Sequence, residues 1–245
     1  MRKKRVEDIV NFLKTLKINS LKFNQILETN NFKKLAIINE ALTHSSMSKE
    51  INHEKLEFLG DAVLRLSASE FIENNFPILK VGERSELRAQ IVSDEWLANF
   101  GKKIHLEKII IIGPKAMGDS FSKDTIIAEI TEALIGAFYI CFSSVKEINL
   151  WLDQYWLEDS KLILDSPYKF NAKSKLQEWC QSKSIKLPIY KIIETSKTHG
   201  DQKRFYCEVF IEGKLYATSY GKSHKKAEKI AASKAIESIF KMNIN

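Results

Sequence analysis

The chain has 245 residues, of which 44% are hydrophobic and 28% charged, and its 38 Lys and Arg outnumber its 31 Asp and Glu. This composition excludes a wholly disordered or collagen-like chain, and the length predicts one large domain or two smaller ones. The longest apolar run, residues 133–142, is too short to span a bilayer, so we expect no membrane partner.

The N-terminus and the cysteines bear on localisation. The basic start, residues 1–5, is followed at once by Glu7 and Asp8, so it lacks the apolar core of a signal peptide. The three cysteines are widely spaced and form no metal-binding pattern. They indicate buried thiols in a reducing compartment, and we expect the protein to be cytoplasmic.

Charge is distributed unevenly along the chain. Residues 1–165 hold 22 basic and 24 acidic side chains, a net charge of −2, and residues 166–245 hold 16 and 7, a net charge of +9. Asp165 and Ser166 are turn formers, and Pro167 disfavours helix in the residue before it. We therefore predict two domains, residues 1–165 and 166–245, of which the second has a polyanionic partner.

The first part is predicted to be all-α, because apolar residues recur at helical spacing and strand alternation is scarce. The predicted helices cover residues 6–16, 32–42, 54–71, 83–100, 126–142 and 145–164. Gly101 is expected to end the fourth of them. Residues 109–112 have strand propensity, but Gly113 and Pro114 cut the run short, and its structure stays open.

Two of these helices carry acids in apolar surroundings. Glu54, Glu57 and Asp61 are spaced i, i+3, i+7 on one helix face, and Glu129 and Glu132 share a face of the later helix. Buried carboxylates need a proton, a counter-charge or a cation, and clustered ones are the ligands that Mg²⁺ prefers. Acids at this spacing more often form a solvated face, so spacing alone leaves both interpretations open.

The second part is predicted to be a small α+β domain with the order α-β-β-β-α. Its predicted helices and strands cover residues 171–183, 189–194, 205–211, 215–220 and 223–240. In the second strand, apolar residues alternate with polar ones, as expected when one sheet face is buried.

Lysines cluster at the start of the last predicted helix, at Lys222, Lys225, Lys226 and Lys229. The helix dipole favours anions at the same place. A lysine-rich helix start is usually only a solvated basic face, but this one belongs to a strongly basic domain.

Several segments resemble the ribonuclease III family. Residues 53–61, His-Glu-Lys-Leu-Glu-Phe-Leu-Gly-Asp, are similar to its highly specific nine-residue signature. Ala41–Ser45, upstream of this signature, is also similar to the family. Downstream, the similar segments are Arg88 with Ala89, Val92, and Ala133–Ala137, and all of them occur in the family's order. The resemblance extends from about residue 35 to the C-terminus. It implies an all-α endonuclease domain followed by an α+β double-stranded RNA-binding domain.

The resemblance also implies a role for each of the five acids. Asp61 and Glu132 match the family's catalytic acids, and Glu57, Glu129 and Glu132 match its metal ligands. Glu54 matches a supporting acid. The implied cofactor is Mg²⁺, with Mn²⁺ as a substitute, and either one or two ions are compatible with the sequence.

A homodimer is implied as well, with the signature helices meeting across the two-fold axis. Gly60 costs about 1 kcal/mol relative to Ala inside a helix, so it indicates a close helix approach, which the family places at the dimer interface. Phe58 is most simply a core residue, but the family places it in a pocket of the partner subunit, and we expect it at the dimer interface.

Two places depart from the family pattern. Position 129 is most often Asp in the family, and Glu129 adds one methylene, so we expect activity with an altered metal preference. At residues 113–116, Lys115 and Ala116 stand where the family usually has Gly and Glu. This segment is either a tolerated surface loop or a reshaped substrate contact. His44 is expected to be a hydrogen-bonding structural histidine.

The C-terminal elements resemble a double-stranded RNA-binding domain, and residues 221–229 are similar to the start of its last helix. The major groove of A-form RNA is narrow and lined by phosphates, so the lysine cluster is expected to span it. Gln177, Glu178 and His199 match positions that contact successive minor grooves. Such contacts distinguish duplex RNA from DNA with little sequence preference.

These features and the resemblance predict a Mg²⁺-dependent, double-strand-specific endoribonuclease. The resemblance implies that it leaves 5′-phosphate and 3′-hydroxyl ends and acts in rRNA and mRNA processing. The alternative is a catalytically degenerate RNA-binding or processing-scaffold protein. The retained acids favour the enzyme, and the departure at Glu129 is the feature that favours the alternative.

Overall fold

The structure, a computed structural model, describes residues 1–16, 18, 20–29, 31–117, 122–165, 171–198 and 201–242. It forms two compact units, Met1–Ser160 and Lys161–Asn245. The boundary after Asp165 stays a prediction, since residues 166–168, on which it depends, lie outside the described residues.

The N-terminal part is helical, as predicted. Its elements are α1 (Lys3–Thr15), α2 (Leu21–Thr29), α3 (Phe32–Ala41), α4 (Glu54–Asn75), α5 (Val81–Ile91), α6 (Asp94–Lys103), a 3₁₀ turn (Leu106–Lys108), α7 (Pro114–Met117), α8 (Ser122–Phe142) and α9 (Val145–Asp165). The sequence interpretation missed α2 and α7, because both are short. Helix α2 still contributes Phe23 and Ile26 to the core, each 1% exposed.

Helix α8 is the centre of the first unit, and α3, α4 and α6 pack around it. Its segment Lys123–Phe142 is long and apolar enough to cross a membrane, but 72% of the most apolar window is buried in the protein. A helix at the centre of a globular core has the same composition, so this segment is explained by its packing.

Glycines allow a close backbone contact between α4 and α8. A Cβ at Gly60 would lie 1.9 Å from the carbonyl oxygen of Glu132, and a Cβ at Gly136 would lie 2.1 Å from that of Leu56. The predicted close approach at Gly60 is therefore found within the chain, between these two backbones. The crossing brings the acid-bearing faces of both helices together.

The single helix predicted over residues 83–100 is wrong. Two helices, α5 and α6, meet there, because the side chain of Ser93 caps α6 by accepting a hydrogen bond from the N–H of Trp96 at 3.2 Å. Gly101 does not end a helix either. It lies inside α6, where a Cβ would come within 2.4 Å of Ile127 Cγ2 on α8.

Residues 109–112, whose structure the sequence left open, form one isolated parallel bridge between Thr43 and Ile111. The N–H of Ile111 donates to the carbonyl of Leu42 at 2.8 Å, and the N–H of His44 donates to the carbonyl of Ile111 at 2.9 Å. The bridge fixes the loop that carries His44.

The second unit has the predicted α-β-β-β-α order. Its elements are α10 (Ala172–Ser182), β1 (Ile189–Glu194), β2 (Phe205–Ile211), β3 (Lys214–Gly221) and α11 (His224–Met242). The strands form an antiparallel sheet in the order β1-β2-β3. Residues alternate between buried and half-buried along β2, so one face of the sheet packs into the core. The three cysteines of the chain are free and buried, as expected.

Candidate active site and RNA interface

The carboxylates of α4 and α8 form one electrostatically coupled cluster. Burial, and then the charges of Asp61, Glu57 and Asp94, raise the pKa of Glu132 to about 7. Burial, and then the charge of Glu129, raise the pKa of Glu57. The structure thus brings the predicted acids together, and it adds the exposed Asp94 at the start of α6, which the sequence interpretation missed.

Arg65 is the counter-charge of Asp61. Its Nε donates to both carboxylate oxygens of Asp61, at 2.8 and 3.0 Å, one helical turn along α4. The same guanidinium lowers the pKa of Glu132, although burial outweighs this effect. The i, i+4 spacing of the two residues was the sequence signal that could have identified this pair.

Histidine 53 lies beside the cluster and was also missed as a site residue. Its side chain is 2% exposed, and its Nε2 lies 3.3 Å from Glu57 Oε2 and 3.5 Å from Glu129 Oε2. The i, i+4 spacing to Glu57 predicts the first contact, whereas the second depends on the crossing of α8 over α4. His53 therefore connects the acids of the two helices.

Histidine 44 completes this side of the site. Its Nδ1 lies 2.7 Å from Ser46 Oγ, which agrees with the predicted hydrogen-bonding role, and its Nε2 lies 3.8 Å from Glu129 Oε2. The ring stacks on that of His53, with centroids 5.0 Å apart and an interplanar angle of 18°. Burial, and then the charge of His53, lower the pKa of His44.

The segment at residues 113–116 adjoins this loop. The N–H of Gly113 donates to Ser46 Oγ at 2.9 Å, and a Cβ at Gly113 would lie 2.6 Å from the Ser46 carbonyl oxygen. The segment is thus attached to the histidine loop at its first residue, while Pro114 is exposed. Whether the segment contacts substrate stays a prediction.

An open cleft next to the histidines has Glu54 and Phe58 on its wall. Phe58 is 85% exposed, so the interpretation of this residue as core is wrong. Its predicted place in a partner's pocket, and the predicted place of Gly60 at the same interface, stay predictions. Within the chain, Gly60 is buried against α8.

The donor set fits a hard divalent cation. Glu57, Glu129 and Glu132 supply carboxylate oxygens, which Mg²⁺ prefers. The pKa values of Glu57 and Glu132 are raised by burial and then by neighbouring negative charge, and a bound cation would offset both effects. The histidines add nitrogen donors on the Glu129 side. His44, His53 and Glu129 form a group whose ligand atoms lie within 4.8 Å of one another.

The predicted RNA contacts lie on the helices of the second unit. Lys222 and Lys225 are exposed and Lys226 and Lys229 half-buried around the first turn of α11. Ser223 caps this helix by accepting from the N–H of Lys226 at 3.2 Å. The cap leaves the lysines beside the positive end of the helix dipole.

The first helix of this unit carries the other predicted contacts. Gln177 and Glu178 are both exposed on α10, and Lys175 Nζ lies 3.2 Å from Glu178 Oε2. His199 lies outside the described residues. Trp179 is partly buried and packs against the core of the unit.

Comparison with known proteins gives two domain matches and full-length relatives. Residues 34–149 match a family model described as ribonuclease-III-like, and residues 172–239 match one described as double-stranded RNA binding motif. The chain is 48% identical to Ribonuclease 3 of Prochlorococcus marinus, over 97% of this chain and 95% of that protein. It is 34% identical to Ribonuclease 3 2 of a Nostoc species, over 84% and 85% of the two chains. For Ribonuclease 3 of Aliarcobacter butzleri the identity is 37%, over 85% and 92%.

Proposed function

The chain belongs to the ribonuclease III family, and from this membership we propose that it cuts duplex RNA in a Mg²⁺-dependent reaction. It is an endoribonuclease of that family with a double-stranded RNA-binding domain. The proposal extends to the ion, to products with 5′-phosphate and 3′-hydroxyl ends, and to rRNA and mRNA precursors as substrates in the cytoplasm.

The observation that carries the proposal is the coupled cluster of Glu57, Asp61 and Glu132 at the α4–α8 crossing. Burial and mutual repulsion hold the pKa of Glu132 at about 7, so full ionisation of the cluster is costly unless a cation compensates the charge. Glu57, Glu129 and Glu132 would hold Mg²⁺, which supplies charge stabilisation for a phosphodiester transition state. A degenerate scaffold has no use for this costly arrangement of acids.

Side chains of the protein orient the catalytic acids, accept the proton of the attacking water and bind the RNA backbone. Arg65 orients Asp61 through two hydrogen bonds to one carboxylate, so that carboxylate is held in place beside Glu132. We assign Asp61 and Glu132 to accepting a proton from the attacking water, and Glu54, on the wall of the cleft, to a supporting contact. The lysines of α11 bind backbone phosphates, which gives affinity without sequence readout.

We propose a homodimer as the active form. Phe58 exposes 85% of its surface on the helix that carries Glu57 and Asp61, which supports burial of this ring by a second subunit. A dimer would place two clusters on one duplex, so that both strands are cut.

The test is cleavage of a long RNA duplex by the full chain. We expect cutting with Mg²⁺, none with chelator, and at least a hundredfold loss of rate in Glu132→Gln with duplex binding retained. Glu237→Gln is the matched control, since it removes an acid from the second unit. Duplex binding without Mg²⁺-dependent cutting by the parent protein would favour the scaffold alternative. Cutting by Glu132→Gln at the parental rate would contradict the role of Glu132.

A further inference from the structure

One face of the sheet in the second unit is turned away from the core and carries aromatic side chains. Every second side chain along β2, from Phe205 to Ile211, belongs to the core of the unit. Successive side chains of a strand point to opposite faces, so Tyr206, Glu208 and Phe210 point outward. These three residues are half-buried, and with their register partners on β1 and β3 they form a surface that we call the outer sheet face.

Two aromatic rings lie side by side at one end of the outer sheet face. Tyr206 pairs with Ile193 of β1 and with Tyr220 of β3. The ring centroids of Tyr206 and Tyr220 are 5.1 Å apart, and the interplanar angle is 51°. Ile193 is 55% exposed and Tyr220 is 46% exposed, so this row presents flat apolar surface to the solvent.

A third ring lies at the other end of the same face. Phe210 pairs with Ile189 of β1 and Leu215 of β3, and both partners are exposed. The two apolar rows are four residues apart along β2, a separation of about 13 Å. A polar row centred on Glu208 lies between them.

Lysine ammonium groups lie beside the rings of this face. Lys191 Nζ is 4.8 Å from the ring centroid of Phe210, and Lys203 Nζ is 6.0 Å from that of Tyr220. These cation–π contacts place phosphate-binding charges next to surfaces on which a base can stack. The flexible lysine stem allows each ammonium to leave the ring for a phosphate. Glu208 lies directly opposite Lys191 in the register, so its negative charge is offset.

We propose that the outer sheet face binds unpaired RNA nucleotides. The bases stack on Tyr206, Phe210 and Tyr220, and the phosphates contact Lys191 and Lys203. Aromatic rings combined with cations are the general means by which proteins bind single strands, and such binding tolerates any sequence because every base has a π-face.

The charges of this domain favour RNA over a protein as the occupant. Residues 166–245 have a net charge of +9, which attracts a polyanion. The centre of a protein–protein interface is depleted in charged residues, whereas Lys191 and Glu208 lie in the middle of the outer sheet face.

The proposed surface is separate from the lysine cluster at the start of α11. Helices α10 and α11 pack on the inner face of the sheet, so the α11 lysines and the outward rings belong to opposite layers of the unit. An RNA with both a duplex and an unpaired extension can therefore engage both layers. This preference for partly unpaired substrates rests on the proposed function.

The test measures binding of a fluorescent, unstructured oligouridylate to the full chain in chelator. Tyr206→Thr with Tyr220→Thr is expected to weaken this binding at least about tenfold, because two stacking surfaces are lost. Threonine suits exposed strand positions, so the fold is expected to be retained, and thermal melting verifies it. Binding of a blunt RNA duplex is expected to stay at the parental level. Equal affinities of the folded variant and the parent for the single strand would overturn the proposal.

Two control variants separate stacking from other effects. Tyr206→Phe with Tyr220→Phe keeps both rings and is expected to retain the affinity for the single strand. Phe32→Ala removes an exposed ring from α3 in the first unit and is expected to change nothing. A loss of affinity in the phenylalanine variant as large as in the threonine variant would contradict stacking.

Photo-cross-linking locates the bound strand without any variant. An oligonucleotide with 5-iodouridine is irradiated with the parent chain, and the modified peptides are identified by mass spectrometry. Cross-links to Tyr206, Phe210 or Tyr220 are expected. Cross-links confined to α10 and α11 would show that the single strand uses the duplex-binding surface, which would overturn the proposal.

The remaining outcomes also discriminate. A parent that does not bind the single strand would overturn the proposal, and weaker self-association of the threonine variant in ultracentrifugation would then assign this face to a second copy of the chain. Single-strand binding without Mg²⁺-dependent cutting of duplex RNA would contradict the proposed function only. Cutting without single-strand binding would contradict this inference only.

Discussion

Gly60 and Gly136 face each other where α4 crosses α8, and neither position has space for a Cβ. A Cβ on Gly136 would lie 2.1 Å from the Leu56 carbonyl oxygen and 3.1 Å from the backbone N of Gly60. This backbone-to-backbone contact sets the separation of the two acid-bearing helices, so the geometry of the site depends on two residues without side chains.

Gly136→Ala is expected to destabilise the protein by about 2–4 kcal/mol, because a methyl group must be accommodated against rigid backbone. It should also lower Mg²⁺ affinity, since the helices separate. Urea unfolding and calorimetric metal titration measure the two effects. Gly82→Ala is the control, since nothing lies within 4 Å of its added Cβ and Ala is the better helix former. Equal stability of Gly136→Ala and the parent would contradict the rigid crossing.

Arg65→Gln is expected to raise the pKa of Glu132 above its value of about 7, because the guanidinium lowers it. Removing this charge leaves the repulsion from Asp61 uncompensated. Carbon-13 NMR titration of the metal-free protein measures the shift. Lys103→Gln, which removes an exposed charge paired with Glu158, is the control. An unchanged or lowered pKa of Glu132 would show that Arg65 acts only on Asp61.

Asp153 is expected to make stability fall as the pH rises. Burial, and then the charge of Glu70, raise its pKa to about 6. The folded state therefore holds this proton more tightly than the unfolded state, so its stabilising effect is present below pH 4 and is lost as the pH rises through 6.

Asp153→Asn tests this effect. It should stabilise the protein at pH 8 by roughly 1–2 kcal/mol, since each pKa unit is worth about 1.4 kcal/mol before solvent screening. At pH 3.5 the two proteins should be nearly equal in urea unfolding. A variant that is less stable than the parent at pH 8 would contradict the raised pKa.

The double variant Lys225→Ala with Lys226→Ala is expected to weaken duplex RNA binding and reduce the slope of log K against log salt by about 1–2 units. The lysines of α11 release counterions when they contact phosphate. The matched control, Lys191→Ala with Lys214→Ala, removes the same charge from β1 and β3 of the same domain. An unchanged slope in the α11 variant would exclude phosphate contacts by these two lysines.

Phe58→Ala is expected to shift the chain towards monomer, because an aromatic ring that is 85% exposed gains stability when a partner buries it. Analytical ultracentrifugation over a range of concentrations measures the equilibrium. Leu21→Ala, at a residue that is 84% exposed on α2, is the control. A parent that is monomeric throughout would contradict the dimer.

The sequence was most informative where a local pattern fixes the structure. Strand β2 was predicted at its observed bounds, because alternation along Phe205–Ile211 directly reports one buried face. The break between α5 and α6 was missed, because it depends on one side chain, Ser93, accepting the N–H of Trp96. For Phe58, periodicity did not show which side of α4 faces the interior, so the residues alone suggested core and only the family resemblance favoured a partner's pocket.

The sequence by itself determined the family, the order of the two domains and the five acids, because these depend on residue identity and spacing along a single helix. Only the tertiary structure decided how the acids are used. Contacts between α4, α8 and the loop after α3 join residues far apart in the chain, and no periodicity encodes such contacts. The crossing at Gly60 and Gly136 therefore places Glu132 in the cluster and brings His44 and His53 to Glu129.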